Sequence, residues 1–550
     1  MADMNEALPK AIDLSHHLSE LSKSRQPSPL KNLAKYFGKP GILSLAGGMP
    51  SPAYFPLSTL SAETLVADSF SLTLPAKDDS GLSWFWKLFS SNKNERTEHL
   101  SIPKYAHADP SEAVSLEVAL QYGTAQGLVP LQKFMREFTE RVYQPQYSDF
   151  TTFVHAGNTD AWGKAFQTLC NPGEMFLTEE WTYPSAMASA KPYGVQPLAI
   201  KIDNEGMRSD DLRKVLSEWD EEARGAKRPH VMYTVPVGQN PTGATMGATR
   251  KKEIYNICVE FDIIIVEDDP YYFLQEGPYV PRDMRSSASS SSRSKDETSD
   301  YIASLAPSYL KFDYQGRVIR LDSFSKTIAP GSRLGWFTCN ERFAERLERQ
   351  GETSTQAPCG FGQSVITQLL TKQWGFEGYI RWLQGLRSEY SRRRDFFLDE
   401  LLSLFDVRSV YMAQGTWAGC SAFVARPRPH SGRAINRAVS EKQNFSFGDK
   451  PLFSFVAPTS GMFVWIKIHF ENHPSFSAPE DEATMEMKLW EKIAEAGVLI
   501  GPGWIFAATE DVPQEAEGHF RIAFSHAEHD TMKKALKVFH DQLLDFFGYQ

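Results

Sequence analysis

Three short apolar segments, each followed within a few residues by polar side chains, constrain the fold of this chain more than any other feature. They are VMYTVP (231–236), DIIIVED (262–268) and RVIRLDS (317–323), and they are rich in β-branched residues. The segment IYNICVEF, which precedes the second of them, has the pattern of a helix. Strand, helix, strand is typical of a mostly parallel sheet that is covered by helices on both faces. Such a sheet brings the residues that follow its strands to one edge, where ligands bind.

The length of the chain, 550 residues, predicts more than one domain. The composition along the chain suggests four parts: an N-terminal arm or lid over 1–40, part of a small domain with a surface insertion over 41–114, a large sheet domain over 115–365, and a small C-terminal α+β domain over 366–550. Two stretches rich in small polar residues interrupt this plan. We expect 285–299 to be a mobile serine-rich loop and about 405–457 to be an insertion.

Charge and cysteine usage argue against several classes of protein. A net charge of −10 does not favour a nucleic-acid surface, which would be basic. The most apolar run, Ile263 to Val266, is far too short to span a membrane, and no targeting segment is recognisable. The five scattered cysteines lack paired spacing, which is typical of reduced thiols in the cytosol. The pairs His16-His17 and His526/His529 have no metal-ligand context, so we expect no metal.

Reactive side chains follow all three strands. Ser323 ends the third and is followed by Phe324-Ser325-Lys326 and by Arg333, and taken alone this pattern is more commonly a surface lysine in a serine-rich loop. The first strand is followed by Asn240 in NPTG, and the second by Asp269 and Tyr272 in DPYY. An amine can join an aldehyde, while hydroxyls and a guanidinium hold phosphate. A buried carboxylate can keep a pyridine nitrogen protonated. Together these residues indicate a site for a phosphorylated pyridine aldehyde.

The motifs around these residues resemble those of a known family. They are RQPSPLK, LAGGMPSPAYFP, ALQYGTAQGL, AGNTDAW, TYPS, GQNPTG, EDDPYYFLQ, DSFSKTIAPGSRLGW and FRIAFS. They resemble the fold-type I aminotransferases that use pyridoxal 5′-phosphate (PLP), and within them the kynurenine/α-aminoadipate branch with its fungal aromatic amino acid aminotransferases. The resemblance implies an α/β fold like that of aspartate aminotransferase. Its large PLP-binding domain has a mostly parallel, seven-stranded sheet covered by helices, and its smaller domain is α+β.

The resemblance also implies a role for each matching residue in holding the cofactor. Lys326 would be the Schiff-base lysine and proton shuttle, Asp269 would pair with the pyridine nitrogen, and Tyr183 would stack on the ring. Tyr272 and Asn240 would bond the ring oxygen. The phosphate would be held by a larger group of residues: Ser323, Ser325, Arg333, Asn158, Thr159 and, from a neighbouring subunit, Tyr122. The implied working unit is therefore a homodimer with shared active sites.

For the substrate, the resemblance implies that Arg521 binds the α-carboxylate, that Gly48 lies where backbone approaches the substrate, and that Asn240 contributes an amide. Lys31 stands where some relatives carry an arginine near the substrate side chain. The implied reaction is ping-pong exchange of an amino group between an aromatic amino acid and 2-oxoglutarate. Transamination of α-aminoadipate or kynurenine, and a PLP-dependent β-lyase, remain alternatives. The longer spacing between Asp269 and Lys326 than in the family is explained by the serine-rich segment.

Overall fold

The structure is a computed structural model. It describes residues 8–27, 36, 41–42, 45–46, 48–72, 95–106, 109, 112–285, 297–413, 415–428, 450–477, 481–509 and 518–549. Lys31 and most of the serine-rich segment, 286–296, lie outside the described residues.

The described strands are β1 (Thr59–Leu65), β2 (Thr97–Pro103), β3 (Phe150–His155), β4 (Met175–Glu179), β5 (Gln196–Ile200), β6 (Ile202–Asp203), β7 (Gly206–Met207), β8 (Val231–Thr234), β9 (Ile264–Asp268), β10 (Val318–Ser323), β11 (Gly335–Asn340), β12 (Asp406–Met412), β13 (Cys420–Arg426), β14 (Phe453–Phe455), β15 (Phe463–Ile468), β16 (Gly501–Pro502) and β17 (His519–Ala523). The α-helices are α1 (Glu20–Ser24), α2 (Leu116–Ala119), α3 (Val129–Val142), α4 (Asn158–Leu169), α5 (Pro184–Ala190), α6 (Ser209–Ser217), α7 (Glu221–Arg224), α8 (Ala248–Glu260), α9 (Glu297–Ser304), α10 (Glu341–Glu352), α11 (Gly360–Gln368), α12 (Gly375–Leu404), α13 (Asp481–Glu495) and α14 (His529–Phe546).

The predicted parallel sheet is present and has seven strands in the order β3-β11-β10-β9-β8-β4-β5. All neighbours pair in parallel except β11, which is antiparallel to both β10 and β3. The three segments that the sequence predicted as strands are β8, β9 and β10, and they are adjacent in the sheet. Every residue of these three strands is buried, as expected for a sheet that is covered on both faces.

The two faces of this sheet belong to different hydrophobic clusters, because successive strand residues point to opposite sides. In β9, Ile264 and Val266 belong to the cluster that also contains Trp162 of α4. Ile265 belongs to the other cluster, with Val318 of β10. Helix α4 therefore covers one face, and any residue at the end of β9 must turn toward one cluster or the other.

A second, antiparallel sheet has the order β12-β13-β14-β15-β17-β16. Its core is formed with α12, α13 and α14, and includes Leu398, Phe453 and Leu536. The expectation that about 405–457 is an insertion is wrong for its ends, because β12, β13 and β14 are strands of this sheet. Residues 429–449 between them lie outside the described residues.

The expected bounds of the serine-rich loop, 285–299, also change. Arg285 donates to Asp399 at 2.8 Å, and α9 already begins at Glu297. The expectation that 41–114 is part of the small domain changes as well. Strands β1 and β2 form a separate two-stranded antiparallel sheet, which packs against Leu369. The division into four parts otherwise stays a prediction.

Candidate active site

The carboxyl ends of β8, β9 and β10 lie side by side and deliver the reactive side chains. Thr234 of β8 pairs with Glu267 of β9, and Asp268 of β9 pairs with Leu321 of β10. The chain then continues from β8 to Asn240 and from β10 to Lys326. Parallel strands in register must end at the same edge, so the sequence-predicted convergence follows from the topology.

Lys326 is partly buried, and no described residue forms a hydrogen bond or ion pair with its amine. Burial lowers the pKa of Lys326, and the positive charges of Arg521 and Arg333 lower it further. Its amine is therefore more often neutral near pH 7 than that of an exposed lysine, which is what a nucleophile or base requires.

Arg333 connects the loop after β10 with the start of α4. Its Nη1 lies 3.5 Å from Ser325 Oγ and its Nη2 donates to Ala156 O at 3.0 Å. The backbone of Arg333 is left-handed, with φ 45°. Gly157, with φ 95°, is needed here because a Cβ would lie 2.2 Å from Arg333 Nη2. The guanidinium thus lies beside the N-terminus of a 12-residue helix, an arrangement suited to an anion.

Asp268, and not Asp269, faces this same side. Its Oδ1 accepts a hydrogen bond from Asn158 Nδ2 at 2.6 Å, and its Oδ2 accepts one from Tyr233 OH at 2.6 Å. Burial raises the pKa of Asp268, while these two hydrogen bonds oppose the rise. Asn158 Nδ2 also donates to Leu321 O at 3.0 Å. The side-chain amide of Asn158 is therefore engaged with Asp268, and only its backbone N–H is available to a phosphate.

The expected placement of Asp269 and Tyr272 is wrong, because both point to the opposite face of the sheet. Asp269 Oδ2 accepts from Arg320 Nη1 at 2.9 Å, and the Arg320 guanidinium lies 4.6 Å from the Tyr272 ring centroid. Glu267, two residues before Asp269, contacts the same Arg320 nitrogen at 3.2 Å. Alternation along the strand explains the correction, since 267 and 269 share one face and 266 and 268 share the other.

Arg320 is expected to be a large contributor to stability. It is fully buried and bonds Asp322 at 3.0 Å in addition to Glu267 and Asp269. Arg320→Met should lower the free energy of unfolding by about 3–5 kcal/mol, because it leaves buried carboxylates without a counter-ion. Urea unfolding measures this loss. Arg213→Met, which breaks an exposed pair with Glu260, is the control and should cost less than about 1 kcal/mol. Equal losses in the two variants would contradict this account.

Arg521 of β17 lies beside Asn240 and between aromatic rings. Its Nη1 donates to Asn240 Oδ1 at 2.7 Å, and its guanidinium lies 4.4 Å from the Phe463 ring centroid. Its Nε is buried without a partner among the described residues. Tyr271 packs edge-on against Phe463 at 5.6 Å, and Tyr183 packs against the same cluster. Burial raises the pKa of Tyr271. The negative charge of Asp268 raises this pKa further, and the positive charge of Arg521 lowers it.

The other predicted residues range from buried, as Ser323 is, to exposed. Ser323 Oγ accepts from Ser325 N at 3.0 Å at the carboxyl end of β10. Thr159 and Gly48 are exposed, and the Tyr122 side chain is 71% exposed, beside an open groove. Lys31 lies outside the described residues, so the structure gives no position for it.

Sequence reasoning missed Asp268, Tyr271 and Tyr233. Counting strand alternation back from the buried residues of β9 would have placed Asp268, and with it Tyr271 three residues later, on the face that α4 covers. No comparable pattern marked Tyr233, since it lies inside β8 like any buried strand residue.

Comparisons with known proteins show which family the chain resembles. A family model described as "Aminotransferase class I and II" matches residues 87–417. An aromatic amino acid aminotransferase of Schizosaccharomyces pombe is 33% identical over 96% of this chain and 97% of its own. An L-tyrosine:2-oxoglutarate aminotransferase of Serpula lacrymans is 35% identical over 90% of this chain and 84% of its own.

The fold is also similar to that of a solved aminotransferase structure. The crystal structure of the aminotransferase Aro8 from Candida albicans matches with a TM-score of 0.78 and 31% identity, and the match covers 98% of this chain and 100% of that chain. The expected large sheet domain with a second, smaller sheet is therefore confirmed. Because the sequence and the fold both match over nearly the whole chain, the chain belongs to the class I and II aminotransferases.

Proposed function

We propose that this aminotransferase uses PLP to exchange the amino group between an aromatic amino acid and 2-oxoglutarate. The observation that carries the proposal is that Asp268 ends β9 beside the end of β10, which Lys326 follows, and that Arg521 lies close enough to lower the pKa of the lysine amine. The names of two relatives, an aromatic amino acid aminotransferase and an L-tyrosine:2-oxoglutarate aminotransferase, support the substrate class.

The residues present fit the proposed cofactor. The missing side chain of Gly157 leaves room for Arg333 beside the start of α4, where a phosphate would be held with Ser325 and the backbone N–H groups of Asn158 and Thr159. The amine of Lys326, which no described residue binds, would hold the aldehyde. Ser323 Oγ accepts a hydrogen bond from the backbone N–H of Ser325, so it would hold the loop after β10 in place beside the same phosphate.

The ring of the cofactor would be held from three sides. Asp268 would bond the pyridine nitrogen, because each of its oxygens accepts one hydrogen bond from the described residues and a carboxylate oxygen has two lone pairs. Tyr183 would stack on the ring, while the Asn240 amide and the Tyr271 hydroxyl would bond the ring oxygen. When bound, PLP supplies a protonated pyridine that withdraws electrons from the substrate α-carbon.

The protein residues would then divide the work on the substrate. Arg521 would bind the α-carboxylate in two parallel hydrogen bonds, oriented by Asn240 and by the rings of Phe463 and Phe506. Lys326 Nζ would take the proton from the substrate α-carbon and return a proton to the carbon of the cofactor's aldehyde group. Its lowered pKa keeps part of the amine unprotonated for this purpose.

Arg521→Lys is expected to raise KM for the amino acid and for the oxo acid together, by roughly 30- to 150-fold. A lysine keeps the charge but cannot form the bidentate bond, and both substrates of a ping-pong enzyme carry the same α-carboxylate. Steady-state kinetics with each substrate varied in turn measures the effect. Arg213→Lys, at an exposed position, is the control. A rise in KM for one substrate alone would remove Arg521 from the shared carboxylate site.

We propose a homodimer in which Tyr122 reaches the neighbouring site, supported by its 71% exposed side chain at the rim of an open groove of about 790 Å³. If Tyr122→Ala and Lys326→Ala are each inactive, mixing them should restore up to about a quarter of the wild-type activity, since each mixed dimer has one intact site and half of the dimers are mixed. Activity after proven subunit exchange is the measurement. No recovery would place Tyr122 in the site of its own subunit or outside any site.

Two finer points are also proposals. Lys31, if it lies on a lid over the site, would meet the side-chain carboxylate of 2-oxoglutarate and withdraw for an aromatic ring. A cytoplasmic location is supported by five cysteines that are all unpaired. No helix in the described part of the chain is both long and apolar enough to cross a membrane.

The substrate class is tested by single half-reactions of the PLP-loaded enzyme with a panel of amino acids. Phenylalanine, tyrosine, tryptophan and glutamate should each convert the cofactor to its amino form. α-Aminoadipate or kynurenine reacting much faster than the aromatic amino acids would assign the enzyme to that alternative.

A further inference from the structure

Two histidines of the N-terminal segment meet an aspartate at the edge of the sheet opposite to the active site. The segment is fixed there by Leu14 and Leu18, which are 0% and 4% exposed, and by Ile12 N, which donates to Gln315 O at 3.0 Å. His16 and His17 lie in the 3-10 turn Ser15–His17 that these contacts hold in place.

The side chains of His16 and His17 converge on the carboxylate of Asp262. His16 Nε2 lies 2.7 Å from Oδ2, and His17 Nε2 lies 3.1 Å from Oδ1. The three potential ligand atoms all lie within 4.8 Å of one another. A first-row divalent cation that binds nitrogen and oxygen at about 2.0–2.1 Å holds neighbouring ligand atoms about 2.9–3.4 Å apart. The separation between His16 Nε2 and Asp262 Oδ2, 2.7 Å, lies about 0.2 Å below this range. One nitrogen of each histidine and one Asp262 oxygen lie within 4.8 Å of one another, so small side-chain rotations would bring all three onto one ion.

More polar groups surround this cluster. His17 Nδ1 lies 3.0 Å from His230 Nδ1, and His230 Nε2 lies 3.4 Å from Glu174. All of these residues line one surface groove of about 340 Å³. The His16 and Asp262 side chains are 58% and 46% exposed, so an ion and its water ligands can reach them from solvent.

We propose that His16, His17 and Asp262 form a site for a borderline divalent cation such as Zn²⁺, with water completing the coordination. Two imidazole nitrogens favour Zn²⁺, Co²⁺ or Ni²⁺ over Mg²⁺ and Ca²⁺, which prefer oxygen. Arg317 Nη1 donates to Asp262 Oδ1 at 2.7 Å, which leaves Oδ2 for the metal but adds a positive charge nearby. The affinity is therefore expected to be roughly micromolar, below that of four-ligand structural sites.

The bound ion would tether the N-terminal segment to the sheet and take no part in the chemistry. Asp262 precedes β9 and Asp268 ends it, so six residues of extended chain, about 20 Å, separate the two carboxylates. The site is accordingly independent of the proposed transamination, and each can fail without the other.

The test uses untagged holoenzyme that has been treated with a chelator and then titrated with Co²⁺ and Zn²⁺. The wild type should bind one equivalent, with visible d–d absorption for Co²⁺, and its Tm should rise by roughly 3 °C at a hundredfold excess of Zn²⁺ over Kd. His16→Gln, an exposed position, should weaken binding at least about tenfold without unfolding the protein. Asp262→Asn should do the same, and His526→Gln is the matched control at an exposed histidine.

Transaminase activity should be equal in the wild type, His16→Gln and His526→Gln. Saturable binding that His16→Gln weakens and His526→Gln does not would support the site. No saturable binding below about 1 mM, or equal binding by the wild type and His16→Gln, would overturn it and leave the three side chains as a hydrogen-bonded contact only.

Discussion

A Lys326→Ala variant is expected to lose transamination by on the order of ten-thousandfold while keeping its fold, because no other described side chain at the site offers a neutral amine. The amine of Lys326 is partly buried and has a lowered pKa, and it lies at the carboxyl end of β10 beside Arg333. The measurement is the single-turnover rate with phenylalanine, together with the circular dichroism spectrum. A small primary amine added in solution should restore part of the rate, since it can fill the space that the side chain leaves.

Lys252→Ala is the matched control, because Lys252 is an exposed lysine on α8. It should retain the wild-type rate. A Lys326→Ala enzyme that turns over at the wild-type rate would remove Lys326 from the chemistry, and with it the proposed role of the loop after β10.

An Asp268→Asn variant is expected to lose on the order of a thousandfold in kcat, whereas Asp269→Asn should keep kcat within about threefold. Asparagine at 268 is isosteric but carries no negative charge, so it cannot keep a pyridine nitrogen protonated. Asp269 is bonded to Arg320 on the opposite face of the sheet, and its replacement leaves the site unchanged. The two variants are controls for each other, since they place the same amide at adjacent buried positions.

Asp269→Asn should instead change how stability depends on pH. Burial raises the pKa of Asp269 to about 7, partly offset by Arg320 and Lys251. The folded state then holds a proton that the unfolded state has already released, so the wild type loses stability as pH rises from about 4 to about 7. The amide side chain of the variant cannot titrate, and this part of the slope should disappear. If Asp269→Asn lowers kcat as strongly as Asp268→Asn does, the assignment of the two faces is wrong.

The reactive edge could be predicted from the sequence because local patterns determine it. Short buried strands joined by helices must be parallel, and parallel strands must place Asn240 and Lys326 at the same edge. The choice between Asp268 and Asp269 was not settled by motif matching, because a one-residue shift turns a side chain to the other face. The structure places the two carboxylates on opposite faces, with Asp268 bonded to Tyr233 and Asp269 bonded to Arg320.

Long-range contacts were beyond local patterns. His16 and Asp262 are 246 residues apart, so no spacing rule connects them. The small polar residues of 405–457 concealed β12 and β13, whose place in the second sheet depends on pairing with β14 and, through it, β15. Edge and near-edge strands with exposed faces need fewer apolar residues than the buried strands β8, β9 and β10.

Transfer of labelled nitrogen tests the central claim most directly. Phenylalanine carrying an isotopically labelled amino group is incubated with unlabelled 2-oxoglutarate and the purified PLP-loaded enzyme. The products are then separated, and the label in each is measured by mass spectrometry. The account predicts that the label appears in glutamate, with phenylpyruvate formed in equal amount and no labelled ammonia. Label released as ammonia, as a lyase would release it, or label that stays in phenylalanine would contradict the account.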